Sequence, residues 1–141
     1  MRMYSIIYRS IANDSFSLSD IYDMLSKARE RNFKQNITGC LLYHENGFLQ
    51  LLEGERKDVL SLYDKISEDN RHHSVELILE EKQEDRLFKD WSMAFFEFEA
   101  FESKAEMKLM QIDQIFKQSK SHLVNTSLTK TFFDQARSML L

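Results

Sequence analysis

Hydrophobic positions in this chain fall into short strand-like runs separated by longer stretches of helical spacing. Met3 to Tyr8 is the first run, and a polar loop leads from it to Ser17-Leu18-Ser19-Asp20, the spacing of a capping box at a helix start. Leu18, Ile21, Tyr22, Leu25 and Ala28 then recur at helical intervals and predict a core-facing stripe, on which Asn32 also falls. Thr38 to Tyr43 and Phe48 to Leu52 read as paired strands joined through Asn46-Gly47, two residues that tolerate positive φ. A second helix follows Gly54, with Val59, Leu62, Tyr63 and Ile66 at core spacing and Asp69 one turn further on. Val75 to Glu81 and Ser92 to Phe98 predict two more strands, and the charged stretch between them has room for one helical turn.

The order β-α-β-β-α-β-β, with right-handed crossovers and a central hairpin, predicts a ferredoxin-like α+β sandwich: both helices on one face of a mixed sheet. In Phe48-Leu49-Gln50-Leu51-Leu52 both faces read as buried, so the face bearing Leu49 and Leu51 needs a cover of its own. Two amphipathic stretches near the end of the chain supply one. The first starts at a capping box, Ser103-Lys104-Ala105-Glu106, and carries Leu109, Ile112, Ile115 and Phe116; the second carries Leu128, Phe132, Ala136 and Met139 or Leu140. The expected division is therefore a domain over 1–98 and a helical cap over 99–141.

With 141 residues, 43% of them hydrophobic, the chain is long enough for one domain with a core of its own. A net charge of −4 supplies no basic field for phosphate backbones, which argues against nucleic acid as a partner. Cys40 is the only cysteine, so neither an intramolecular disulfide nor a multi-cysteine metal site is available, and a reducing, cytoplasmic setting is expected. No apolar run approaches the roughly 20 residues needed to span a bilayer, and Met1 to Tyr4 lacks the apolar segment of a signal peptide.

The most informative single residue is Gln50, on the face it shares with Phe48 and Leu52. A buried carboxamide left unpaired costs about 1 to 3 kcal/mol per polar group, so a side chain or a ligand must meet it. Tyr8 at the end of the first strand, Asn32 at the end of the first helix, and Asp69-Asn70-Arg71-His72-His73 after the second helix belong to the same side of the fold. A planar heterocycle with several carbonyl and ring-nitrogen acceptors, slotted between the helices, would satisfy all of them. Taken singly, each has a plainer reading: Tyr8 as a core aromatic, Gln50 in a structural hydrogen bond, Asn32 as a helix cap, the histidine pair in a solvated loop.

Tyr8, Asn32, Ile37-Thr38-Gly39, Phe48-Leu49-Gln50, Leu52-Glu53-Gly54, Arg71-His72 and Trp91-Ser92-Met93 together resemble the BLUF family of blue-light sensors using FAD, over residues 2 to 98. The resemblance implies a photoreceptor with FAD as cofactor, FMN or riboflavin serving as substitutes. It implies Tyr8 as the electron and proton donor to excited flavin, Gln50 as the relay between that phenol and the ring, and Asn32 and Arg71 on the ring's carbonyl edge. Met24, Phe48 and Ile66 would sandwich the isoalloxazine, with Lys65, Asp69 and His72 near the ribityl chain or the pocket rim. Trp91 and Met93 match the pair on the last strand whose exchange is linked to signalling, and which of them faces the flavin is left open. It further implies signalling to a partner protein and a homo-oligomer, with no metal and no enzymatic step.

Three other functions compete. A flavin-free interaction module of the same fold would be colourless. An acylphosphatase-like hydrolase would need a phosphate-cradling loop, yet Arg9 to Ser15 contains no glycine. Base stacking on sheet aromatics is opposed by the acidic charge and by the cover over the outer face.

Overall fold

A computed structural model describes residues 3–89, 92–97 and 127–140, together with Gln114 and Lys117. Its elements are β1 (Met3–Ala12), α1 (Leu18–Gln35), β2 (Thr38–His44), β3 (Gly47–Gly54), α2 (Arg56–Glu68), β4 (His72–Gln83), β5 (Ala94–Glu97) and α3 (Ser127–Leu140). The strands form one sheet in the order β4-β1-β3-β2-β5. All pairings are antiparallel except that of β5 with β2, which is parallel and makes the sheet mixed. Element order and strand order are those of the ferredoxin-like sandwich.

Local chemistry sets the helix ends. Ser17 Oγ accepts from the Asp20 amide at 3.1 Å and Asp20 Oδ2 accepts from the Ser17 amide at 3.0 Å, closing the capping box. At the other end Asn36 takes the left-handed conformation, φ 56°, that stops the helix. The buried face of α1 is narrower than its sequence stripe. Ile21, Leu25 and Asn32 are buried, whereas Leu18 and Tyr22 are exposed. The Tyr22 ring turns instead onto Phe95 of β5, centroids 5.7 Å apart.

The hairpin differs from its sequence reading by one residue. Positive φ falls on Glu45 (47°) and Asn46 (67°), while Gly47 already belongs to β3. Pairing on both sides of β3 fixes this register: Gly47 stands opposite His44 on β2 and Ile11 on β1, and the sheet's burial pattern outweighs the glycine preference. The turn still has the two positive-φ residues that a right-twisted two-residue hairpin requires.

The sheet separates two cores. On one face Ile6, Leu41 and Leu52 pack with Ile21 and Leu25 of α1 and Val59 and Leu62 of α2. On the other, Ile7, Cys40, Leu42, Leu49 and Leu51 are covered by Leu128, Phe132, Phe133 and Ala136 of α3. The cover expected for Leu49 and Leu51 is thus provided by the second amphipathic stretch. The first, bearing Leu109, Ile112, Ile115 and Phe116, lies outside the described residues. Phe132 is fully buried in this second core, so Phe132→Ala should lower unfolding free energy by about 3 to 5 kcal/mol in urea titration; a loss below about 1 kcal/mol would show that α3 is not part of the cooperative core.

The helical turn expected between β4 and β5 is absent: residues 84–89 form bends and a turn. Glu53, fully buried on β3, captures this segment by accepting from the amides of Leu87 and Phe88, each at 2.8 Å, as well as from Thr38 Oγ1 at 2.8 Å and Gln83 Nε2 at 3.1 Å. Burial pushes the Glu53 carboxyl above its ordinary value against the pull of these donors. Arg86 Nη1 donates to Thr38 Oγ1 at 2.8 Å and Arg86 Nη2 to the Asn36 carbonyl at 2.7 Å, tying the same segment to the end of α1.

Candidate functional site

A cavity of about 290 Å³ opens between α1 and α2 above β1 and β3. Its floor is Tyr8, Phe48 and Gln50, with Met93 beside them; α1 contributes Met24 and α2 contributes Lys65 and Ile66; Asp69, Arg71 and His72 complete it from the segment after α2. Ten of the twelve residues singled out in the sequence therefore meet at one place. Strand pairing accounts for the central contact, since Tyr8 and Gln50 stand opposite each other across β1 and β3.

Tyr8 and Gln50 are both buried, and the Tyr8 hydroxyl donates to Gln50 Oε1. The other end of the carboxamide, Nε2, donates to Met93 Sδ at 3.3 Å. A thioether only accepts, whereas a phenol can donate or accept, so Met93 determines which way the carboxamide faces. Burial, with Tyr63 adding to it, pushes the Tyr8 phenol well above its ordinary value; it stays protonated and donating throughout the neutral range. The Tyr63 ring packs against Tyr8 at 5.5 Å between centroids.

Asn32 is buried but is not among the residues lining the cavity. Its Nδ2 donates to the Ser92 carbonyl at 2.9 Å, and its Oδ1 accepts from Arg31 Nη2 at 3.3 Å. Arg31 does line the cavity, and partial desolvation lowers its pKa. Sequence reasoning missed Arg31 because it precedes Asn32 on the exposed flank of α1, where an arginine reads as a solvated residue; Phe16, Leu25, Ala28, Leu41 and Leu62 were missed as cavity walls because core periodicity already accounted for them or passed them by. Arg71 Nε bridges both oxygens of Asp69 at 2.9 and 3.0 Å, which holds Asp69 below and Arg71 above their ordinary values. His72 is fixed at both ring nitrogens, Nδ1 to Ser10 Oγ at 2.7 Å and Nε2 to the Ile66 carbonyl at 2.6 Å. Met93 is the member of the Trp91/Met93 pair that the structure places in the cavity; Trp91 lies outside the described residues.

Flat apolar walls meet a set of donors here: two guanidiniums, a carboxamide NH2 whose present acceptor is only a thioether, and the ammonium of Lys65. This donor set fits a planar, acceptor-rich ring, and the fold with this pocket defines the class of ferredoxin-like flavin-binding proteins. A family model described as "BLUF: Sensors of blue-light using FAD" matches residues 3–94. The chain belongs to the BLUF family, and FAD is the cofactor that its family uses.

Its relatives combine this unit with different surroundings. The "Blue light- and temperature-regulated antirepressor BluF" of Escherichia coli K12 is 34% identical over 98 residues, 70% of this chain and 24% of the relative. The "Photoactivated adenylate cyclase subunit alpha" of Euglena gracilis is 36% identical over 87 residues, 62% of this chain and 8% of the relative. The chain thus spans a quarter or less of the length of these curated relatives. A solved structure of comparable size, "BlrB - a BLUF protein, dark state structure", superposes with a TM-score of 0.70 at 26% identity, covering 95% of this chain and 97% of that one.

Proposed function

We propose that this chain is a photoreceptor unit in which light rearranges the Tyr8–Gln50–Met93 hydrogen bonds and β5 passes the change to a partner protein. The observation that carries this reading is the buried series Tyr8 hydroxyl, Gln50 carboxamide, Met93 thioether along one wall of the cavity. When bound, FAD supplies blue-light absorption and an excited ring able to take an electron from a neighbouring phenol.

Tyr8 is that phenol. The proton it then loses has an acceptor already in place at Gln50 Oε1. Gln50 can answer by tautomerising or by turning its carboxamide, and either change breaks the bond from Nε2 to Met93 Sδ because the thioether has no hydrogen to donate. Met93 immediately precedes β5, and its carbonyl accepts from Arg29 Nε of α1 at 3.0 Å. Release of Gln50 is therefore felt by the β5 edge and the exposed side of α1 together. Arg71 and the Arg31–Asn32 pair hold the carbonyl edge of the ring. Met24, Phe48 and Ile66 form its walls, and Lys65, Asp69 and His72 face the ribityl side.

The flavin unit ends near residue 98 and the remainder caps the sheet. The chain carries no enzymatic step itself, works in the cytoplasm as a homo-oligomer and signals by contact. Among the described residues no helix is long and apolar enough to cross a membrane. Hydrogen–deuterium exchange of the FAD-loaded chain tests the route: blue light should speed exchange at residues 92–97 and at the end of α1, with the α3 core unchanged. Identical exchange in dark and light at those segments would overturn it.

A further inference from the structure

We infer that the polar cleft beside the flavin cavity seats the phosphate and nucleoside tail of the cofactor, with Lys27 as the cation that selects phosphate-bearing flavins. The inference rests on the flavin-sensor reading above and extends it to the part of the ligand beyond the ring.

The cleft has a volume of about 460 Å³ and shares Phe16, Met24, Lys27 and Arg71 with the flavin cavity, so the two open into each other. Its charges are graded along that passage. The two cations, Lys27 and Arg71, stand at the junction, while the two carboxylates, Asp20 and Asp23, line only the outer cleft. Arg71 is largely committed: its guanidinium grips Asp69 and lies 5.3 Å over the Phe16 ring. Lys27 has no ion pair among the described residues, although Asp23 precedes it by one helical turn. A dianionic phosphate leaving the ribityl chain would meet this unspent ammonium first.

Beyond the phosphate the acidic outer wall suits a neutral group rich in hydrogen-bond donors. Ribose hydroxyls and the exocyclic amine of adenine are such donors. Asp20 already accepts from the Ser17 amide through Oδ2, which leaves Oδ1 for a ligand, and Asp23 lines the cleft one turn along α1. A second phosphate or an acidic tail would be rejected at this outer wall, so the gradient favours a nucleotide over a longer polyanion.

The test is titration of the full chain, stripped of flavin, with riboflavin, FMN and FAD, followed by quenching of flavin fluorescence at low and high salt. Affinity should rise from riboflavin to FMN to FAD. Lys27→Gln should weaken FMN and FAD about tenfold and leave riboflavin unchanged, and added salt should shrink the gap between wild type and variant. Asp23→Asn should alter FAD binding alone. Lys27 is exposed on α1, so the variant should keep the wild-type fold by circular dichroism. Equal binding of the three flavins by wild type, or an equal loss for riboflavin in Lys27→Gln, overturns the tail seat while leaving the flavin-sensor reading intact. Failure of all three flavins to bind overturns both.

Discussion

Tyr8→Phe should give a protein that folds, binds FAD and is yellow, yet forms no stable red-shifted state under blue light. The substitution removes one oxygen and keeps the ring that packs on Tyr63. It leaves Gln50 Oε1 without its donor, a cost of about 1 to 3 kcal/mol that a folded domain of this size tolerates. What disappears is the proton that the carboxamide would receive. Gln50→Leu tests the same link from its other side: it approximates the side chain's size but offers neither donor nor acceptor, so it should also hold flavin without the productive shift. Spectra of both variants before and after illumination, beside wild type, decide this. A wild-type shift and dark recovery in either variant would show that the Tyr8–Gln50 relay is not the mechanism, even in a chain that binds FAD.

Arg71→Ala should weaken FAD binding about ten- to a hundredfold, equivalent to about 1 to 3 kcal/mol, because a charge-assisted bond inside an apolar-walled cavity is not replaced by water on equal terms. The variant also frees Asp69, whose carboxylate is held below its ordinary range chiefly by that arginine and would then repel the ligand's phosphates. Asn32→Ala should produce a similar loss by a different route. It unties Arg31 and leaves the Ser92 carbonyl without its 2.9 Å donor, so the cavity wall and the segment leading to Met93 loosen together. Fluorescence titration checks both, with circular dichroism confirming the fold. Unaltered affinity in both would remove these residues from the ring's carbonyl edge.

The two variants also show where sequence pattern carries information and where it does not. Period-two alternation placed Gln50 with Phe48 and Leu52 and demanded a cover over Leu49 and Leu51, and the two cores follow that division. The face of α1 was harder to read. Leu18 and Tyr22 fit the helical period, but helix tilt and the nearby β5 edge leave them exposed, and β5 lies far away in sequence. Register posed the same kind of problem at the hairpin: Asn46-Gly47 is the stronger local signal, yet pairing with β1 and β2 moved the turn to Glu45-Asn46. The bends at 84–89 depend on Glu53, more than thirty positions away, whose carboxylate takes the amides of Leu87 and Phe88.

Tyr8, Gln50 and Met93 meet through the strand order and the return of the chain to α1, which no local period encodes; the ordered set of residues resembling one family brought them together on paper. Arg31 escaped because its exposure along α1 is that of a surface residue and only its guanidinium contact with Asn32 reveals the cavity side.

The most direct measurement is the light-minus-dark absorption spectrum of the FAD-loaded wild-type chain. No bond to the ring is made or broken, and only the hydrogen bonds of Gln50 change. The expected result is therefore a small shift of the flavin bands to longer wavelength that reverses in darkness. Flavin bands that bleach permanently, or that do not move at all under blue light, would contradict the Tyr8–Gln50–Met93 switch.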